Sequence, residues 1–191
     1  MRLKIVVLFI SMSFFLKCQT RNESLGYGLI NQIFLEKNTS YKLNTNLIPF
    51  LNGYFENKDV FNFNFLNKLT PANLNNYQSD IVESILKKQD LEFMKSQLKK
   101  VDVKTLDTKK LTINKNYISV KNYVKTGTDN IIPNDSTYHI SWPIFSEDSK
   151  VAMIYIENYC GIDCGGGQLS IYQKDKNGVW KFVGGIGTYI S

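Results

Sequence analysis

Apolar positions along the 191-residue chain fall into two textures. In the first, they recur at steps of three and four. Leu25, Leu29, Ile30, Ile33 and Phe34 share one face of a helix expected over residues 25–37, ended by the Asn38-Thr39-Ser40 cluster. Ile81, Val82, Ile85 and Leu86 form a second face behind Ser79, a good N-cap, with Asp80 and Glu83 suited to the first turn. Leu91, Met94, Leu98 and Val101 continue at helical steps. The gap from Leu86 to Leu91 turns that face by about 140° on a straight helix. A break near Gln89 resolves the mismatch, with Asp90 as N-cap of a further helix to about Lys100. Phe61, Phe63 and Phe65 alternate with Asn62 and Asn64 as in a strand, while Leu66 and Leu69 fit a helix, so both readings stay open. The remainder of residues 19–76 has no clean period.

The second texture begins after Lys104 and is β-branched and aromatic. It predicts strands near residues 110–113, 117–120, 137–142, 151–158, 168–174 and 179–183. Asp175-Lys176-Asn177-Gly178 is a hairpin turn, because Asn-Gly readily takes positive φ. Asp148-Ser149, before Lys150, reads as another turn, and Gly127–Ser136 with Pro133 as a long loop. Helices followed by strands imply an α+β fold: N-terminal helices packed on a mostly antiparallel C-terminal sheet of about five to six strands. There is no internal repeat.

Composition adds a compartment. Hydrophobic residues at 43% with 21% charged are ordinary for a globular protein and exclude a wholly disordered or collagenous chain. The amino terminus departs from that average: Met1-Arg2-Leu3-Lys4 precedes an apolar run from Ile5 to Leu16. About 12 apolar positions span roughly 18 Å as a helix, well short of a ~30 Å hydrocarbon core, which favours a secretion signal over a membrane span. Phe15-Leu16-Lys17-Cys18 resembles the lipobox of bacterial lipoproteins. Lys17 stands where a small residue is usual, a departure that the looser lipoboxes of Bacteroidota tolerate. The resemblance implies a signal over residues 1–17, lipidation of Cys18, a tether over 18–24 and one α+β domain over 25–191, held in the envelope as a periplasmic or outer-membrane lipoprotein. Loss of Arg2, Lys4 and Lys17 takes 23 basic side chains to 20 against 17 acidic ones. So mild and dispersed a surplus argues against nucleic acid as a partner.

With Cys18 lipidated, Cys160 and Cys164 remain, and in an oxidising compartment they are disulfide candidates. Four extended residues cover about 13 Å while a disulfide holds its Cα atoms within roughly 7 Å, so the chain must turn between them, which Gly161 eases. So small a ring is worth about 2 kcal/mol, a local staple.

Four blocks carry a further likeness: Gln89-Asp90-Leu91-Glu92-Phe93-Met94 with Gln97; Ser141-Trp142-Pro143-Ile144-Phe145-Ser146; Tyr159-Cys160-Gly161-Ile162-Asp163-Cys164-Gly165; and Asn177-Gly178-Val179-Trp180-Lys181. Over roughly residues 79–183 the chain resembles exported proteins and lipoproteins of Bacteroidota that have no assigned activity. The resemblance supports compartment and architecture and supplies no catalytic residue.

Candidate chemistry is sparse. The segment from Cys160 to Gly167 is best read as a structural clip. A metal site would need two more soft or imidazole ligands and His139 is the one imidazole. A redox dithiol usually has two residues between its cysteines, not three, and Gly165-Gly166-Gly167 lacks the lysine and helix of a phosphate loop. His139 and Ser141 share a face of a predicted strand, where Asp148 or Glu147 would complete a hydrolase triad, although no sharp nucleophile turn is present. Lys87, Lys88, Lys95, Lys99 and Lys100 could meet anionic headgroups, but Glu83, Asp90 and Glu92 interleave with them as on a solvated face. Asp135-Ser136-Thr137 resembles the short O-glycosylation motif of Bacteroidota. The 12 Phe and 11 Tyr belong first to a core and only then to carbohydrate stacking. The expectation is a monomeric, lipid-anchored binding or interaction module without metal or cofactor, its partner an envelope protein or glycan. The alternative is a cryptic periplasmic hydrolase using His139 and Ser141.

Overall fold

The computed structural model describes residues 22–35, 42–51, 58–71, 81–99, 103–119, 137–161 and 164–190. The described part of helix α1 covers 22–35, so residues 22–24, expected in the tether, are already helical. Then come β1 (Lys42–Asn44), the single turn α2 (Phe63–Leu66), β2 (Thr70–Pro71), α3 (Ile81–Ile85), α4 (Lys88–Gln97) and β3 (Ile118–Ser119). A dense meander follows: β4 (Thr137–Ile140), β5 (Ile144–Phe145), β6 (Val151–Gly161), β7 (Cys164–Lys174) and β8 (Trp180–Ile190). The eight strands make one sheet in the order β2-β8-β7-β6-β4-β1-β3, with β5 also on β6. β1 is parallel to β3 and β4, and every other pairing is antiparallel. The fold is thus α+β as expected, with more strands: β1 and β2 come from the stretch with no clean period.

Both faces of the sheet are covered, and β6 explains how. Its residues 151–156 are all buried. Val151, Met153 and Tyr155 enter one core with Val82, Leu86, Leu91 and Met94 of the α3–α4 region, while Ala152, Ile154 and Ile156 enter the other with Leu29, Ile30 and Ile33 of α1. An unbroken apolar run is what a strand sandwiched between two layers requires. Gly26 lets α1 sit close, since a Cβ there would fall 2.3 Å from the Trp142 ring. Each helical layer also holds a strand by a glutamine. Gln32 accepts from the Trp180 amide (2.9 Å) and donates to its carbonyl (2.5 Å). Gln97 does the same for Phe145, at 3.2 and 2.5 Å. These amides satisfy backbone groups as a neighbouring strand would.

Two local expectations change and one open reading closes. Around residues 110–113 there is no strand among the described residues. Thr108–Lys110 is a 3-10 turn, and Leu111 and Ile113 are buried against the α1 layer. The segment is strapped along α1 by Glu23, Tyr27 and Asn31, one stripe at four-residue spacing. Lys110 Nζ lies 2.5 Å from Glu23, the Asp107 amide donates to the Tyr27 hydroxyl (2.7 Å), and Asn31 bonds the Lys110 carbonyl (3.0 Å) and Thr112 amide (2.8 Å). The helix break falls at Leu86-Lys87, so Lys87 and not Asp90 is the N-cap of α4. Asp90 sits at N3, taking the Lys87 amide at 2.9 Å, half of a capping box because an ammonium cannot accept in return. Residues 63–66 resolve the open aromatic run as helix, capped by the Asn62 side chain on the Phe65 amide at 2.8 Å. The 175–178 turn forms as expected, although positive φ is confined to Gly178 (79°) and Asn177 lacks it. The Gly178 amide bonds the Asp175 carbonyl (3.0 Å) and the Asp175 amide that of Val179 (2.9 Å). The Asp148-Ser149 turn also forms, with Ser149 at φ 62°. Among the described residues no helix is long and apolar enough to cross a membrane.

Candidate functional site

Where β6 leaves the two cores, its side chains become polar, and there the sheet gathers the chain's one histidine with a carboxylate and a phenol. His139 on β4 stands opposite Glu157 on β6, and Thr137 opposite Tyr159. Alternation puts Tyr155, Glu157 and Tyr159 on one face, with Thr137 and His139 beside them. The Tyr155 hydroxyl donates to Glu157 Oε1 at 2.8 Å, although the Tyr155 ring belongs to the core and is only 1% exposed. On the other side of Glu157 and Tyr159, β7 presents Gly167 and Gly165, which offer backbone alone. Burial pulls the His139 imidazole below its usual value, and the Glu157 carboxylate works against that pull without reversing it. A neutral imidazole is both donor and acceptor. Together with the carboxylate it makes a compact hydrogen-bonding surface on a rigid strand pair.

Comparison with family models, curated proteins and solved structures returns no match. The geometry therefore stands by itself.

Ser141, expected to share a face with His139, is fully buried. Its hydroxyl takes the Tyr155 amide at 3.0 Å and lies 3.3 Å from the Trp142 carbonyl, while its own amide donates to the Tyr155 carbonyl at 2.9 Å. This is a strand-linking role, and no substrate carbonyl can reach such an oxygen without opening the core. Asp148 is engaged in its own turn, by the Ser146 hydroxyl at 2.8 Å and the Lys150 amide at 3.0 Å. Burial pushes its carboxyl up, but the Ser146 and Lys150 hydrogen bonds and the Lys150 charge outweigh that and leave it below the usual value. The acidic neighbour of His139 is thus Glu157, which the sequence alone did not single out.

A cleft of about 380 Å³ lies elsewhere, lined by residues 83–87, Gln89 and Asp90 with Glu147 and Asp148. Asp90 closes one side of it by accepting from the Glu147 amide at 3.3 Å, so its carboxylate ties α4 to the β5–β6 turn. Among the described residues no group of three or more His, Cys, Asp or Glu is arranged to hold a metal ion. Of the expected basic helix, Lys95 is paired with Asp59 at 3.6 Å. Gly165, Gly166 and Gly167 lie within β7, paired with β6 on one side, and Gly166 and Gly167 also with β8 on the other, which is strand and not phosphate loop. The backbone of Cys160 falls at a bulge in β6, and Gly161 pairs with Cys164. The side chains of Cys160 and Cys164, and all of Cys18, Asp135 and Ser136, lie outside the described residues.

Proposed function

We propose that the chain is an exported, lipid-anchored protein of the cell envelope whose α+β domain works as a small binding module, with the polar β4–β6 face as its contact surface. The observation that carries this is a juxtaposition. A basic and then apolar leader runs to Cys18, and helical structure is described from residue 22 onward, so the expected acylation site lies four residues before described structure. The likeness to exported Bacteroidota proteins points the same way. His139 and the Glu157 carboxylate, which the buried Tyr155 hydroxyl holds in place, suit a ligand that exchanges hydrogen bonds with an imidazole and a carboxylate. Nothing in the geometry favours a hydrolase built on Ser141.

The test is the mature amino terminus. Mass analysis should find an acylated cysteine at position 18 in protein that pellets with membranes, and Cys18→Ala should release the protein to the soluble fraction. Cys160 and Cys164 should resist alkylation until reduced. A soluble precursor beginning at Met1, with both later thiols free, would overturn the proposal.

A further inference from the structure

We infer that Asn177 is a site of spontaneous covalent modification, where the side-chain amide cyclises onto the Gly178 nitrogen and opens to aspartate and isoaspartate. The reaction needs no enzyme and depends neither on an anchor nor on the β4–β6 face. Once deprotonated, the Gly178 amide nitrogen attacks the side-chain carbonyl carbon of Asn177. A new C–N bond closes a succinimide ring, the bond to the side-chain nitrogen breaks, and that nitrogen leaves as ammonia. Water then adds to one of the two ring carbonyls. Breaking the ring bond from the side-chain carbon restores the normal chain with aspartate, and breaking the one from the main-chain carbon leaves isoaspartate. The sum is asparagine and water giving the acid and ammonia, with no change of oxidation state.

Asn177 and Gly178 are both exposed at the tip of the β7–β8 hairpin. The side-chain amide of Asn177 meets no partner among the described residues, so it is free to turn toward the chain. Gly178 has φ 79°, and a Cβ there would meet nothing within 4 Å, so neither a side chain of its own nor a neighbour screens the nitrogen. Against the reaction stands the turn itself. The Gly178 amide donates to the Asp175 carbonyl at 3.0 Å, and Asp175 Oδ1 accepts from the Asn177 and Val179 amides at 2.8 and 2.9 Å. A peptide nitrogen, its lone pair delocalised, attacks only after losing its proton, and here it must first leave that carbonyl. An exposed turn tip opens locally at far smaller cost than the whole domain, so Asp175 acts as a brake and not as a lock. Asn158 is the contrast. It lies on β6 opposite Tyr138 of β4 and Gly166 of β7, in a ladder held from both sides, and the residue after it is a tyrosine.

The test incubates the folded full-length protein at mildly acid and mildly alkaline pH, digests it at acid pH and maps its peptides by mass, with synthetic aspartyl and isoaspartyl peptides as retention standards. Asn177 should convert to both acids, several-fold faster at the alkaline pH, while Asn158 stays intact. Asp175→Ala, which takes two hydrogen bonds from the turn, should speed conversion several-fold, with circular dichroism to check that the variant folds. Protein unfolded in urea gives the rate without the turn. An Asn177 that converts in urea but stays intact in the folded protein overturns the inference, as does one that yields aspartate without isoaspartate. An unchanged rate in folded Asp175→Ala overturns the role given to Asp175.

Discussion

The two ends of β6 make opposite demands on their side chains. From Val151 to Ile156 every residue is buried, alternate ones in alternate cores. Glu157 and Asn158 are half-buried and Tyr159 is 41% exposed. The backbone does not change, since β7 runs beside the strand at both ends and the other side is paired by β5 at the inner end and by β4 at the outer. What changes is the covering. The apolar clusters reach Tyr155 on one face and Ile156 on the other. A sheet that outruns its helices keeps hydrogen-bonded rigidity while freeing side chains for polar contacts, which is how a stable scaffold can carry a binding surface.

The sharpest way to break this comparison is to truncate the inner end on each face in turn. Met153→Ala and Ile154→Ala each remove a fully buried side chain, from opposite cores. Each should cost about 2–5 kcal/mol, read as a fall in the urea midpoint. Asn158→Ala, two positions beyond the core, should cost under about 1 kcal/mol. Similar losses at 154 and 158 would mean that the two ends are not different environments.

A smaller effect separates contact from propensity within the α1 layer. Gly26→Ala places a methyl 2.3 Å from an indole ring that cannot retreat easily, and should destabilise by about 1–3 kcal/mol. Gly28, two residues on, has nothing within 4 Å of its missing Cβ. Gly28→Ala should instead stabilise by about 0.5–1 kcal/mol, the usual gain from replacing glycine in a helix. Thermal melts of the two variants should move in opposite directions. If both fell, α1 would not be seated as described.

The helices of α1 and α4, both hairpin turns and the long strands were legible because each has a local cause: a 3.6 or a 2 periodicity, or a turn residue. The site was not, because its partner depends on a register that no local rule sets. Counting outward from the Ile144↔Met153 pairing would put His139 opposite Asn158, whose side chain points to the other face. A one-residue slip across Ser141-Trp142-Pro143 puts it opposite Glu157 instead. The proline in that stretch, unable to donate to a ladder, is the signal that could have raised the question. The 110–113 segment misled for a related reason. Its apolar residues alternate like a strand's, but their partners are α1 side chains, and Asn31 takes the hydrogen bonds that a neighbouring strand would have supplied. β1 and β2 are three and two residues long, too short for any period to register.

The smallest effect tests the outer end of β6 directly. His139 is the chain's one histidine, so stability changes between the carboxylate range and pH 7 can be assigned to it. Burial holds its folded-state pKa below the unfolded value of 6.5. Unfolded chains therefore bind a proton that folded chains refuse as the pH drops below about 6.5, and stability must fall with pH in that window. The favourable contribution is fully present above the unfolded pKa and is lost as the pH falls through the folded one. Replacing the imidazole by an amide that does not titrate removes this dependence, so the stabilities of wild type and His139→Gln should run parallel above pH 7 and diverge below 6.5, the wild type losing more. Asp59 and Asp148, whose carboxyls are held below their usual values, add their own losses only at lower pH. If the Glu157 carboxylate dominated over burial, the sign would reverse and the wild type would gain on the variant as the pH fell. Denaturant midpoints at pH 8, 6.5 and 5 distinguish the two signs, and with them whether the imidazole meets a ligand as a neutral donor-acceptor or as a cation.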